Sequence, residues 1–377
     1  MRAARARAAR ALTAGLLLVL AALQGCSSDK PKATALEAYT PKIAGRQVWN
    51  ASVGSIAYPM VATVRDGVVF VASGDGSVRA LRTETGAEVW RASAGGAVSA
   101  GVGSDGRYTS VVTRGNEVVT FDQGKEVWRK RVPSSVVTPP LVAGERVFVM
   151  SVDRTVHAFD AVDGRRLWVY AKPGDALTLS QASVLGAYKN TLLVAQSQRL
   201  LGLDPLRGSV TWDVSMASPR GTNEVERLAD LLGPMVRIGD RVCMRAFQSA
   251  VACADAARGA VLWSRNVGGI QAVGADAERV YGADASDRIT AWKADSGDVV
   301  WTNEKMLYRG LSGALAVGPS VVFGDSEGYV HFLSGATGEL QLRLPTDGKA
   351  VVGTPVLAGN TLLVTTQSGG LYAFRAN

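Results

Sequence analysis

This chain is poor in the side chains that do most enzyme chemistry: its 377 residues include two histidines and three cysteines. No two cysteines adjoin, and no Cys/His cluster stands at metal-ligand spacing, so the sequence offers no argument for a transition-metal centre. No nucleophile has a base placed beside it, so nothing marks an activated serine, threonine or cysteine. The formal net charge is +8, yet lysines and arginines nowhere gather with interleaved aromatics as a nucleic-acid surface requires. The apolar stretch 11–23 falls short of the ~20 residues a membrane helix needs. Carboxylates are plentiful but mostly sit in turns such as "DG" and "SGD", where Asp serves the backbone.

That short apolar stretch follows Arg2, Arg5, Arg7 and Arg10 with no intervening acid, the layout of a secretory signal peptide. It ends in "LQGC", which resembles the lipobox of bacterial lipoproteins. The resemblance implies cleavage after residue 25 and a covalent lipid on Cys26; no cofactor besides that lipid is expected. Ser27 follows the cysteine, where aspartate would imply inner-membrane retention, so the implied destination is the periplasmic face of the outer membrane. Cleavage removes those four arginines and leaves the mature chain near +4. Residues 26–45 are polar, proline-containing and aperiodic, and read as a tether.

The rest, 46–377, is repetitive. "ALRTETGAEVW" ends at Trp90, and related segments end at Trp128, Trp168, Trp212, Trp263 and Trp301, spaced by 38, 40, 44, 51 and 38 residues. A degenerate copy, "FLSGATGELQL", places Leu342 where the tryptophan belongs. Each unit reads as four short strands, the signature of a β-propeller blade. Seven units are visible, and the leftovers make an eighth. The C-terminal "VVGTPVLAGNTLLVTTQSGGLYAF" supplies three strands, and the N-terminal "GRQVWNAS" supplies the missing tryptophan strand. The fold class is therefore all-β: an eight-bladed propeller of four-stranded antiparallel blades. Its ring is closed by the N-terminal strand joining the C-terminal blade, which leaves no open blade.

Columns of the repeat weigh the remaining candidates. His157 and His331 share a column with Arg79, Val119, Leu201, Ala252, Thr290 and Tyr372, which marks a strand position rather than a catalytic slot. Cys243 and Cys253 sit on neighbouring strands of one hairpin, nearly symmetric about Gln248. Two readings stand: a cross-strand disulfide, or two small core residues, since Cys253 shares its column with Ala80, Ala158, Ala291 and Ala373.

In a blade, the fourth-to-first connection and the second-to-third turn emerge on one face. Two such connections are long and belong to neighbouring blades. One, "VYAKPGDALTLSQAS", carries Leu177 and Leu179, which either form a contact surface, belong to the next blade's first strand or cap the blade tops. The other contains "TNEVERLADLLGP". Here Asn223 and Glu226 form a capping box and Gly233-Pro234 a stop, which predicts an amphipathic helix. Its stripe of Val225, Leu228 and Leu231 would seat it, with Glu224, Glu226, Arg227 and Asp230 outward.

The tryptophan motif resembles the repeat of quinoprotein (PQQ-like) propellers, whose dehydrogenases hold calcium with convergent Glu, Asn and Asp and stack a quinone on a disulfide between adjacent cysteines. The alternative function is thus a lipid-anchored quinoprotein-like propeller that binds a small ligand or oxidises a substrate. The segments "LTLSQAS", "EVERLADLLGP" and "GDSEGYVHF" give a more specific likeness. Together with the lipobox, tether and all eight blades, they resemble the BamB family, lipoprotein components of the barrel-assembly (Bam) complex. That resemblance implies a non-enzymatic scaffold that binds the POTRA domains of BamA, joins other Bam components and assists nascent outer-membrane proteins. Nucleic acid is not among the implied partners. Carried over residue by residue, Leu177, Leu179 and Asp230 match the family's partner-binding positions, with Ser180, Glu224 and Arg227 beside them. Ser180 stands where the family has arginine, and Leu232 where it has a second acid.

Overall fold

A computed structural model describes residues 31–56, 62–171, 179, 181–218, 222–223 and 228–376. The chain divides into a short unit, Met1–Ala33, and a compact unit, Thr34–Asn377. Every regular element among the described residues is a β-strand. They form eight four-stranded antiparallel sheets. In chain order, blades one to seven span 63–93, 103–131, 141–170, 185–215, 231–265, 274–303 and 315–345. Blade eight combines Val356–Ala358, Thr361–Thr365 and Gly370–Ala376 with the N-terminal strand Gly45–Ser52. That closing strand runs antiparallel to the last, from Gly45 opposite Ala376 to Ser52 opposite Gly370.

Sequence pattern follows position in the blade. Second strands such as "VVFVA", "TLLVAQ" and "SVVFG" are continuous apolar runs because both faces are covered by neighbouring blades. Fourth strands lie at the rim and are mixed, as in "EVWRAS". The core is therefore divided into eight apolar clusters, one at each interface between neighbouring blades. Blade eight contributes Leu363, Leu371 and Ala373 to the cluster shared with blade one, and Leu362, Val364 and Phe374 to that shared with blade seven. Closure is thus cemented by side chains as well as by strand pairing.

The tryptophans lock neighbours together. The indole on each fourth strand reaches the turn between the third and fourth strands of the next blade. Trp49, Trp128, Trp168, Trp263 and Trp301 donate Nε1–H to the carbonyls of Thr83, Ala161, Pro205, Ala294 and Gly335, at 2.9–3.0 Å. The motif's glycine explains itself at Gly164: its φ is +69°, and a Cβ there would lie 2.6 Å from the Trp128 ring. Within each blade the tryptophan faces a small residue: Ala80 opposite Trp90, Ala158 opposite Trp168, Cys253 opposite Trp263. Blade seven swaps the sizes, with Phe332 opposite Leu342. Its neighbour has no such turn to dock on, because the outer strand of blade eight, Gly45–Ser52, does not follow the third strand in the chain. Leu342 Cδ2 lies against Gly45 instead.

Two expectations change. The helix expected over 222–234 gives way, in its described second half, to irregular chain at 228–230 and then the inner strand Leu231–Ile238 of blade five. Leu231 and Leu232 are buried there, opposite Ala246 and Arg245. The expected apolar stripe runs through irregular chain at Leu228 into the first residue of a strand, Leu231, and the bulge around Gly233-Pro234 interrupts the alternation that marks a strand. The segment read as a tether, 26–45, is bonded to the ring from Thr34 onward.

Candidate partner-binding face

Described parts of the two long connections, residues 179 and 181–184 of one and 228–230 of the other, lie side by side. These parts are knitted together. The Leu179 backbone N–H donates to Asp230 Oδ2 at 2.8 Å. Ser183 Oγ–H donates to the Leu231 carbonyl at 2.8 Å, and Gly233 N–H to the Ala182 carbonyl at 3.1 Å. Neighbouring turns hold the far sides: Leu231 N–H reaches Ser197 O, Phe247 N–H reaches Asp230 O, and Ser183 N–H reaches Thr138 Oγ1. The strands come so close that a Cβ on Gly233 would sit 2.3 Å from the Ser183 carbonyl oxygen. A small cleft of about 40 Å³ lies underneath, bordered by Leu179, Asp230, Leu231, Ser151 and Gln196.

Asp230 therefore does a different job from the outward acid that a helix would present. It is half-buried, and its carboxylate is committed to the backbone of the leucine-bearing connection. Leu179 is half-buried beside it. Leu177, Ser180, Glu224 and Arg227, and the lipid-attachment candidate Cys26, lie outside the described residues. Leu232, where the resemblance implies an acid, is buried in the blade and borders the central cavity rather than a loop surface. Cys243 and Cys253 face each other in the second and third strands of blade five and are joined as a disulfide, Cα–Cα 4.1 Å, both buried.

Sequence reading missed two buried charged groups that organise the same face. Arg245 is fully buried, and its guanidinium donates to the carbonyls of Val267, Gly268, Gln271 and Ala283 at 2.7–3.1 Å. Burial pushes its pKa down to about 10. It ties the connection between blades five and six to the blade cores. The second group centres on Asp325. Its Oδ2 accepts from Arg309 Nε (2.9 Å), Arg309 Nη2 (2.7 Å) and His331 Nε2 (2.9 Å), and Oδ1 from the amides of Glu327 and Tyr329. Burial raises the Asp325 pKa, but these hydrogen bonds outweigh it and leave the carboxyl below its ordinary value. His331 is pushed below the ordinary histidine value by burial, against the pull of Asp325. The columns of the repeat gave no sign of either group: the column of His157 and His331 reads as an ordinary strand position, and the two arginines lie outside the columns compared.

A central cavity of about 810 Å³ is bordered by the inner segments of the blades, including Pro139, Pro140, Gly233, Ile270 and Gly353. Among its described lining residues Arg65 is the only charged one. Calcium takes carboxylate and carbonyl oxygens in number, and the Cys243–Cys253 pair joins strands buried between blades rather than adjacent residues facing the cavity. The described lining residues do not fit a calcium-held quinone.

A family model described as outer membrane protein assembly factor BamB matches residues 74–303. A Bordetella pertussis protein of that name is 36% identical over 371 residues, covering 96% of both chains, and one from Burkholderia pseudomallei is 35% identical over 379 residues, covering 98% of both. The chain belongs to the BamB family. The crystal structure of BamB from Moraxella catarrhalis superposes with a TM-score of 0.79 at 21% identity, over 88% of this chain and 99% of that one. Quinohemoprotein alcohol dehydrogenase from Comamonas testosteroni shares the fold at a TM-score of 0.65 and 15% identity, over 88% and 76%. Fold alone thus spans assembly factors and dehydrogenases, and sequence places this chain with the BamB family.

Proposed function

We propose that this chain is a non-enzymatic scaffold lipoprotein of the outer-membrane β-barrel assembly complex. Acylated at Cys26, it is held at the periplasmic face of the outer membrane, where it binds the POTRA domains of BamA and assists nascent barrel proteins. The observation that carries the reading is the bonded pair of long connections on one face, Leu179 to Asp230, in a member of the BamB family. Leu177 and Leu179 act as apolar anchors, since a few buried side chains dominate most interfaces. Asp230 holds the Leu179 backbone in place. Ser180, Glu224 and Arg227 rim the contact, and the Cys243–Cys253 disulfide stiffens the blade below.

A crosslinked pull-down from cell envelopes tests the assignment: the tagged chain recovers BamA. Recovery of peptidoglycan or a small ligand with BamA left behind would overturn it. Supplying quinone and calcium separates the enzyme alternative, because a scaffold develops neither cofactor absorbance nor dye-linked oxidation.

A further inference from the structure

The N-terminal segment from Thr34 to Ala44 has no regular structure, yet it is fastened along its length. Lys42 N–H donates to the Gln341 carbonyl (2.8 Å), and Arg343 N–H donates to the Tyr39 hydroxyl (2.7 Å). Both acceptor and donor lie on Leu340–Pro345, the outermost strand of blade seven, so the segment covers that strand's open edge. The Arg343 guanidinium stacks over the Tyr39 ring at 5.0 Å. Salt bridges join Lys42 to Glu339 (2.6 Å) and Lys305 to Glu37 (2.8 Å). At the far end Thr34 N–H donates to the Leu307 carbonyl, and Arg309 Nη1 donates to the Thr34 carbonyl, both at 2.9 Å. Arg309 is itself fixed by the buried Asp325, with side-chain exposures of 2% and 0%. The exposed ion pairs contribute little; the backbone bonds and the buried arginine make this a docked strap.

Where the strap ends sets a direction. Leu307 and Arg309 belong to the connection between blades six and seven, which emerges on the loop face. Tyr308 N–H bonds to Ser286 O, and Ser326 N–H to Arg309 O, both in second-to-third turns. The candidate partner-binding connections leave the same face two and three blade steps away. Eight residue steps separate Cys26 from Thr34, and at ~3.4 Å per step they reach at most ~27 Å. Measured to the closing strand at Gly45, a free tether would reach roughly 65 Å.

We infer that the strap sets the orientation of the ring: docked on blade seven, it holds the loop-face rim of blades six and seven close to the bilayer and leaves the partner-binding connections open on the same face. The anchor and the partner contact then act at the same time. The inference rests on the lipoprotein reading.

The test uses full-length acylated protein in vesicles of phosphatidylethanolamine and phosphatidylglycerol carrying an acceptor-labelled lipid. Donor dyes are placed singly at Tyr308→Cys on the loop face and at Ala336→Cys in the third-to-fourth turn of blade seven on the opposite face; both positions are exposed. The expected result is greater energy transfer from position 308 than from 336. The combined Glu37→Ala, Tyr39→Ala and Lys42→Pro variant, which removes the Lys42 N–H donor to Gln341 and the Tyr39 hydroxyl and ring on Arg343 and leaves the buried Arg309–Asp325 pair untouched, erases the difference. Hydrogen exchange on the unlabelled protein reads the docking itself, with the Thr34 amide protected in the parent and exchanging like free peptide in the variant. Equal transfer from both positions in acylated protein, or an asymmetry that survives strap release, overturns the inference while the lipoprotein reading stands. Absence of acyl mass on Cys26, with no flotation alongside the vesicles, removes both.

Discussion

Replacing Asp230 separates two ways in which an acid can serve a binding face. Its Oδ2 accepts the Leu179 amide at 2.8 Å, so here it acts through the neighbouring connection rather than by offering charge to a partner. Losing a hydrogen bond to a charged group costs about 1.5–3 kcal/mol. If all of that goes into ordering Leu179, Asp230→Ala weakens binding to the POTRA region of BamA on the order of 10- to 100-fold, at ~1.4 kcal/mol per decade. Asp230→Asn keeps a carbonyl acceptor and recovers most of the affinity. The decisive assay is a double-mutant cycle with Leu179→Ala, read by titration calorimetry, with urea unfolding to show that the ring persists. Once the leucine side chain is gone, positioning it gains nothing. The two effects are therefore less than additive, with a coupling of roughly 0.5–3 kcal/mol. Additive losses, with Asn as damaging as Ala, would refute the positioning role and make Asp230 an ionic contact.

Four further outcomes follow from the fold. Gly164→Ala puts a Cβ 2.6 Å from the Trp128 ring at a φ of +69° and lowers stability by about 1–3 kcal/mol in urea unfolding. Leu342→Trp overfills the site opposite Phe332 and destabilises by about 1–3 kcal/mol; adding Phe332→Ala recovers part of that loss by restoring the small partner found in the other blades. Replacing Cys243 and Cys253 together by alanine opens a short covalent loop and costs about 2–3 kcal/mol, with little further effect from burial because alanine is the usual residue in the Cys253 column. His157 and His331 have pKa values lowered by burial, so the unfolded chain binds protons that the native ring refuses. Stability is therefore full above the unfolded histidine value near 6.5 and falls as pH drops below it, by up to roughly 1.4 kcal/mol per pH unit for each group. His331→Gln flattens that slope between about pH 7 and pH 5.

The architecture was legible because it is written many times over. Seven copies of one motif gave the blade, and the orphaned strands at the two ends gave the closure that pairs Gly45 with Ala376. Even the Cys253 column carried its meaning, since it proved to be the position facing the tryptophan. What occurs once was harder to read. The segment from Ala229 to Pro234 mixes buried leucines with a bulge, and no periodicity distinguishes a kinked inner strand from a helix end there. The strap looked like linker because its composition is polar and its hold comes from residues some 300 positions away, such as Arg343 on Tyr39. Arg245 and Arg309 are invisible to repeat logic because a buried cation is satisfied by carbonyls and a carboxylate that only the folded ring assembles.

The central claim is that the paired connections bind BamA, and the most direct measurement is the affinity of the purified ring for the isolated POTRA domains. The parent protein binds, and the Leu177→Ala, Leu179→Ala double variant, still folded by urea unfolding, loses that binding. Affinity unchanged in the double variant would contradict the account.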